Sequence, residues 1–272
     1  MPAFVMWTGK RSSSSYSRNK ESISGAEKMR MSQDKYPALA EKYMLAGVGE
    51  MFSGMLHNLN NHVQILEMQH SMLKSRLESG PQTPIQEYAQ KIEHFSREIT
   101  GLAENVHTNA EHVYYTRKDQ AQVNMGQYVD WLMNFWRNNP YFKHRVNCTV
   151  QVQSRDINLE LPPFCLTLCL EQGIRNAVED YTLLYPDQER SLALHAESSG
   201  DKGAFFRIVS QSELREPEPW KEGSSSKPDH LGMGLPVVEY ICNCMGWEVE
   251  LRNKQDETWF ELKIPFKKSS WN

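Results

Sequence analysis

The sequence predicts an α+β protein in which a long helical hairpin precedes a layer of helices on one face of a mixed sheet. Apolar residues recur at steps of three and four between residues 37 and 117, which is the periodicity of helices. After residue 118, strand and helix patterns mix without strict alternation, which is typical of an α+β domain. A chain of 272 residues with 39% hydrophobic residues has room for both parts.

Residues 1–36 have little to bury. The stretch 8–34 is rich in Ser and in charged residues, a composition that cannot offset the entropy of ordering a chain. We therefore expect residues 1–36 to be a disordered leader.

The first helix is expected to begin near Pro37 and to end at Ser79–Pro81, where Gly and Pro interrupt the pattern. Its apolar positions repeat as an a/d heptad seam with two polar interruptions. The seam consists of Leu45, Val48, Phe52, Met55, Leu59, His62, Leu66, Gln69 and Leu73.

A second helix is expected from Thr83, because Thr followed by Pro84 is a favourable N-cap and first helical position. Its pattern runs to Val113, so residues 37–117 form an antiparallel hairpin. Two helices have little core of their own, and Met51, Met55, Ile65, Met68 and Met72 widen the apolar stripe. We predict a homodimer that covers the stripe in a four-helix bundle.

Residues 118–268 are expected to form the second domain. Helical patterns occupy residues 125–136, 164–178 and 235–244, and the second of them follows Leu161-Pro-Pro. Strand patterns occupy residues 146–152, 191–196, 204–209, 247–251 and 259–264.

Composition narrows the function classes. The formal charge of −4 provides no basic excess for nucleic-acid binding. No apolar run approaches the roughly 20 residues that cross a bilayer, so we expect no membrane span. Five cysteines without zinc-site spacing are typical of reduced, buried thiols, and we expect a cytoplasmic protein.

One polar motif lies on the first helix, at His57-Asn58-Leu59-Asn60-Asn61. With Phe52 at a and Met55 at d, His57 falls at f and points away from the seam. Asn61 lies one turn further along the same face. An exposed imidazole can carry a phosphoryl group, and the amide beside it can bind that group or orient a water molecule. A histidine that is merely exposed on a helix is the alternative interpretation.

A second motif, Gly232-Met233-Gly234-Leu235, opens a helix after a loop rich in Ser, Pro and Gly. Glycines at a helix N-terminus let backbone N–H groups approach phosphate oxygens. A plain glycine-rich turn explains the same pattern.

Taken together and in this order, the motifs resemble those of two-component histidine kinases. The segment from His57 to Asn61 looks like the phosphoacceptor box, and residues 171–180 look like the Asn-containing box of the ATP-binding domain. Residues 231–235 resemble a glycine box, and residues 259–265 resemble the last strand of that domain. The resemblance implies a dimeric phosphoacceptor hairpin followed by an α/β sandwich of the histidine kinase ATPase type. It assigns nucleotide contacts to Gln172, Asn176, Asp180, Gly232, Gly234 and Leu235, and a magnesium contact to Asn176.

Three positions depart from the family pattern. Asn58 stands where the family has an acid that can accept the imidazole proton. The segment Ser210–Arg215 replaces the Asp-x-Gly-x-Gly that anchors adenine, and Gln172 replaces an Asn or Glu. ATP and Mg²⁺ are therefore expected to bind weakly.

From this resemblance we expect a signalling protein that moves phosphoryl groups between His57 and an aspartate of a response regulator receiver domain. It would act as a phosphotransferase or as a regulator phosphatase through His57 and Asn61, with weakened autophosphorylation. A working ATP-dependent kinase, in which Glu213 or backbone groups contact adenine, is one alternative. A noncatalytic dimeric scaffold that docks a response regulator is the other.

Overall fold

The computed structural model describes residues 25–78, 85–198, 200–216, 218–227 and 230–266. The described residues divide into two units, with the boundary between Lys35 and Tyr36. Within the described residues, no helix is long and apolar enough to cross a membrane.

Two long helices come first. Helix α1 (Gly25–Glu78) and helix α2 (Ile85–Tyr115) match the predicted hairpin, and His62 Nδ1 lies 2.9 Å from Glu98 Oε2 between them. The predicted start near Pro37 is wrong, because α1 already begins at Gly25. Residues 25–36 include Ala, Glu, Lys and Met, which are strong helix formers. The predicted leader therefore ends in a helix. Its first 24 residues lie outside the described residues, and so do residues 79–84, where the sequence predicts the helix break and the cap of the second helix.

The second part is built on a five-stranded mixed sheet, as predicted. The sheet consists of β2 (Val146–Val152), β4 (Arg190–Ser198), β5 (Gly203–Ser210), β6 (Glu248–Lys254) and β7 (Glu257–Pro265). Their order is β2-β4-β5-β7-β6, and only the β2–β4 pair is parallel. Short strands β1 (Ala121–Asn124) and β3 (Asn158–Leu161) pair separately in antiparallel fashion.

Helices α3 (Met125–Trp136), α5 (Pro163–Leu184) and α6 (Gly234–Met245) agree with the three predicted helical segments, while the short α4 (Pro140–Arg145) was missed. Alternate residues of β4, β5 and β7 are buried beneath the helices. They include Leu192, Leu194, Phe206, Ile208, Phe260 and Leu262. Gly173 of α5 lies so close to Ile208 and Phe260 that a Cβ would come within about 3 Å of both. The sheet and these helices therefore enclose one continuous core.

Helix α1 packs against this core with a face that shares only Met55 with the nine residues of the predicted seam. Ala40, Met44 and Met51 are buried, with Met51 fully so, whereas the seam residues Leu45 and Phe52 are 69% and 55% exposed. Complete burial of a Met side chain stabilises a fold by about 1.5–3 kcal/mol. Met51 and Met55, which we assigned to the dimer stripe, are thus already covered within one chain.

Candidate functional site

His57 lies on an exposed turn of α1, and its neighbour Asn61 is half-buried. The Nδ2 atom of Asn61 lies 3.3 Å from Nε2 of His57, as expected for side chains one helical turn apart. With the amide as donor, Nε2 accepts and the ring proton resides on Nδ1. The unprotonated nitrogen of His57 and the amide of Asn61 therefore form one small polar site open to solvent.

Asn58, the residue that replaces the family's acid, points toward the second domain. Its amide donates to Asn138 Oδ1 at 3.0 Å, and its carbonyl oxygen accepts from Lys143 Nζ at 3.1 Å. An amide cannot act as a general base. Asn58 thus contributes to holding α1 on the helices of the second domain.

Close approach of α1 to that domain depends on two glycines. A Cβ at Gly54 would lie 1.7 Å from the carbonyl oxygen of Asn138, and one at Gly47 would lie 2.0 Å from Glu171 Oε1. Neither position has room for a side chain. The contact surface of α1 is therefore determined by glycines that lie between the buried methionines.

An ionic cluster extends the same contact. Arg175 donates to Glu50 of α1 and to Glu171 of α5, the latter at 2.6 Å, and Asn139 donates to Glu50 at 2.9 Å. Burial raises the pKa of Glu171 above its ordinary value, and Arg175 opposes that shift. Removing Arg175 would leave the buried carboxylate of Glu171 unpaired, which typically costs about 3–5 kcal/mol.

A cleft lies between α5, α6 and the loop that precedes α6. All six residues assigned to nucleotide binding line it: Gln172, Asn176, Asp180, Gly232, Gly234 and Leu235. Tyr43 of α1 lines it too. The cavity encloses about 140 Å³, whereas sites for drug-sized ligands usually measure about 300–1,000 Å³. The structure brings the predicted residues together around a narrow space.

The two glycines of the cleft have steric reasons to be glycine. Gly232 has a φ of +60°, and a Cβ there would lie 2.5 Å from the carbonyl oxygen of Ser224. A Cβ at Gly234 would lie 2.6 Å from Gln172 Oε1. Gln172 is 2% exposed, and its Nε2 atom is buried without a hydrogen-bond partner. That amide is an unsatisfied donor in the wall of the cleft.

The segment after β5, where the family has its adenine-binding Asp, carries hydroxyl groups. Ser210 is buried, with its Oγ 3.1 Å from Ser212 Oγ and 3.3 Å from the carbonyl oxygen of Thr258. These hydroxyls bond to the protein itself. The alternative adenine contact, Glu213, is absent from the lining of the cleft.

Lys227 closes the other side of the cleft. Its ammonium lies 2.9 Å from Glu179 Oε2, 3.3 Å from Asp180 Oδ1 and 3.0 Å from the carbonyl oxygen of Asn176. Its side chain is only 11% exposed. We did not predict this residue, because a lone Lys in a loop rich in Ser and Pro has no pattern that marks it.

His57 is not among the residues that line the cleft. Tyr43 lines it and precedes His57 by fourteen residues on α1, which corresponds to about 21 Å along the axis of an α-helix. Arg175 lines it too and pairs with Glu50, seven residues before His57, or about 10 Å along the same axis.

No protein-family model matches the sequence, and no curated protein is similar to it. Solved structures are similar. The catalytic domain of histidine kinase ThkA has a TM-score of 0.47 at 13% identity, over 54% of this chain and 95% of that domain.

Two larger assemblies are similar as well. ThkA in complex with the response regulator TrrA has a TM-score of 0.45 at 14% identity, over 86% of this chain and 67% of that one. Full-length ShkA in complex with AMPPNP has a TM-score of 0.47 at 14% identity, over 86% of this chain and 46% of that one. These three structures are of histidine kinases, and all three TM-scores are below 0.5. At these identities the similarity concerns the fold alone.

The cleft has little room for ATP and Mg²⁺, the ligands that the resemblance implies. It holds about 140 Å³, and the backbone carbonyl oxygen of Asn176 accepts from the ammonium of Lys227. Among the residues that the structure describes, no group of three or more His, Cys, Asp or Glu side chains could hold a metal ion.

Proposed function

We propose that the protein transfers phosphoryl groups between His57 and the aspartate of a response regulator receiver domain, or removes them from that aspartate. The observation that carries this proposal is the exposed pair formed by His57 Nε2 and Asn61 Nδ2, 3.3 Å apart. The imidazole is open to a docked protein. The nearest polar neighbour along the chain, Asn58, is directed elsewhere by its bonds to Asn138 and Lys143.

In transfer, the lone pair of His57 Nε2 attacks the phosphorus of an aspartyl phosphate. A nitrogen–phosphorus bond forms as the bond from phosphorus to the aspartate oxygen breaks, and the aspartate leaves as a carboxylate. Asn61 would lie beside the transferred group. In hydrolysis a water molecule attacks the phosphorus instead, the bond from phosphorus to the aspartate oxygen breaks, and the aspartate leaves as a carboxylate while the protons of the water remain with the inorganic phosphate and solvent. The side-chain oxygen of Asn61 would orient that water by accepting a hydrogen bond from it.

Two observations disfavour a working ATP-dependent kinase. The ammonium of Lys227 is bonded to oxygens of Asn176, Glu179 and Asp180 in the cleft. The segment 210–215, at the adenine side of the cleft, has no Asp. We propose that any nucleotide binding is weak and that phosphoryl groups reach His57 from a regulator. A homodimer formed through the exposed seam of α1 and α2, and a cytoplasmic location, remain predictions.

The test is transfer of label from receiver domains that have been phosphorylated with radioactive acetyl phosphate. The intact protein should acquire label that is lost in acid and kept in base, as phosphohistidine is. His57→Ala should lose all of this label, while His70→Ala, which changes another exposed histidine of the same helix, should keep it. If His57→Ala becomes labelled as strongly as the parent, the assignment is wrong and the scaffold alternative takes its place.

A further inference from the structure

The strongest unexplained feature of the cleft is the position of Lys227. The residue belongs to the loop before α6, yet its side chain reaches α5 and is only 11% exposed. Three oxygens from consecutive turns of α5 surround the ammonium: Glu179 Oε2, Asp180 Oδ1 and the carbonyl oxygen of Asn176, at 2.9, 3.3 and 3.0 Å.

These oxygens are of the type that a divalent cation takes. Carboxylates and backbone carbonyl groups are the protein ligands of Mg²⁺ and Ca²⁺. The side chains of Glu179 and Asp180 are 29% and 25% exposed, so both carboxylates have lost part of their hydration. Partly buried carboxylates need a positive partner, because burial penalises the charged form.

The other basic side chains at this place are farther from the two carboxylates or more exposed. His230 Nδ1 lies 3.7 Å from Glu179 Oε2, and its ring is 43% exposed. Arg215 acts on Asp180 only through its longer-range field. Burial raises the pKa of Asp180. Lys227 opposes this rise, and its effect is larger than that of Arg215.

We propose that the ammonium of Lys227 takes the place of a divalent cation in this cleft, so that the chain supplies its own positive charge and excludes Mg²⁺. The loop before α6 is thereby bonded to α5, and the cleft stays narrow. The proposal concerns the cleft alone and does not depend on phosphoryl transfer at His57.

The test measures binding of Mn²⁺ to the full chain by electron paramagnetic resonance of the free ion. Lys227→Met keeps the length of the side chain and removes its charge. The matched control is Lys221→Met, in the same loop, where the lysine is 65% exposed and pairs with Glu218. Lys227→Met should bind Mn²⁺ at least about tenfold more tightly than the parent and the control, a difference of about 1.4 kcal/mol.

Glu179→Gln added to Lys227→Met should return the affinity to that of the parent. The proposal is overturned if Lys227→Met binds Mn²⁺ no more tightly than the parent, whether both bind the ion or neither does. It is overturned as well if Lys221→Met gains the same affinity.

A second measurement uses the parent protein, and it decides the matter if Lys227→Met does not fold. The rate of reductive methylation of each lysine can be followed by mass spectrometry. Lys227 should react at least about tenfold more slowly than Lys221, because its ammonium is enclosed by three acceptors. Equal rates for the two lysines would show that the ammonium does not reside among these oxygens.

Discussion

The exposed turn around His57 and the cleft around Lys227 differ in how their polar groups are satisfied. On α1, His57 and Asn61 share one hydrogen bond of 3.3 Å, and the imidazole is open to solvent. In the cleft, Lys227 has three oxygen partners within 3.3 Å, and Ser210 and Ser212 bond to each other, while the amide nitrogen of Gln172 is the unsatisfied donor described above. A group that retains free hydrogen-bonding capacity can meet a partner, whereas a saturated group mainly stabilises the fold.

The same contrast separates the positions at which the sequence differs from the histidine kinases that it resembles. In the cleft these positions include Ser210, and Lys227 lies on the oxygens of α5. On the helical turn, Asn58 joins α1 to Asn138 and Lys143. The contrast is the reason that we place the proposed chemistry on the hairpin.

The change with the largest expected effect tests whether the exposed seam around Phe52 forms a dimer interface. Phe52 is 55% exposed in one chain although it lies in the predicted seam. Phe52→Glu would place a charge in each half of the dimer interface, which typically costs at least about 3 kcal/mol, or more than a hundredfold in dimer affinity. Analytical ultracentrifugation should show a monomer.

The control for that change is Ser53→Glu, which adds the same charge at the neighbouring exposed position. It should leave the dimer intact. A parent protein that is monomeric at tens of micromolar would contradict the predicted bundle.

Next in size is the effect of Asn61 on hydrolysis. Asn61→Ala removes the amide that is proposed to orient water, and loss of such a contribution lowers rates by about a hundredfold. Release of inorganic phosphate from a phosphorylated receiver domain should fall by that factor, while transfer of label to His57 should continue. Asn60→Ala, at the exposed neighbouring position, should change neither rate. Equal loss of both activities in Asn61→Ala would assign Asn61 to binding of the regulator instead.

A smaller effect concerns the contact between α1 and the second domain. Gly54→Ala would place a Cβ 1.7 Å from the carbonyl oxygen of Asn138, and such overpacking typically costs about 1–3 kcal/mol. Gly49→Ala has no atom within 4 Å, and it should stabilise the helix by up to about 1 kcal/mol. Urea unfolding should therefore move in opposite directions for two glycines on the same helix. A shift of the same sign in both variants would show that α1 does not rest on the domain in this way.

The smallest expected signal is binding of ATP. The cleft has neither the adenine-binding Asp nor an open cation position, so the Kd for ATP should be weaker than about 1 mM, which corresponds to roughly 4 kcal/mol of binding free energy. Isothermal titration calorimetry with ATP and Mg²⁺ measures it. Micromolar binding that discriminates ATP from GTP would favour the kinase alternative and would remove the contrast between the two regions.

Elements with strong periodicity could be predicted from the sequence, and short ones could not. The segments 125–136 and 235–244 and the five strands of the sheet agree with the structure, because each has enough apolar residues to show a period of 3.6 or 2. Strands β1 and β3 have four residues each, which is too few to show alternation. Helix α4 had one overlooked signal, since Asn139 is its N-cap and Pro140 its first residue.

Sequence alone determined the order of the helical hairpin and the α+β part, because periodicity is a local pattern. The resemblance to histidine kinases indicated six of the residues that line the cleft. Only the tertiary structure showed that Met51 packs against the second domain, that Asn58 bonds to Asn138 and Lys143, and that Lys227 reaches Glu179 and Asp180. The hydrogen bonds and ion pairs join residues about 50 to 90 positions apart, and a local pattern does not show which distant residues meet. The burial of Met51 depends on which side of an amphipathic helix the same chain covers, and periodicity does not show that either.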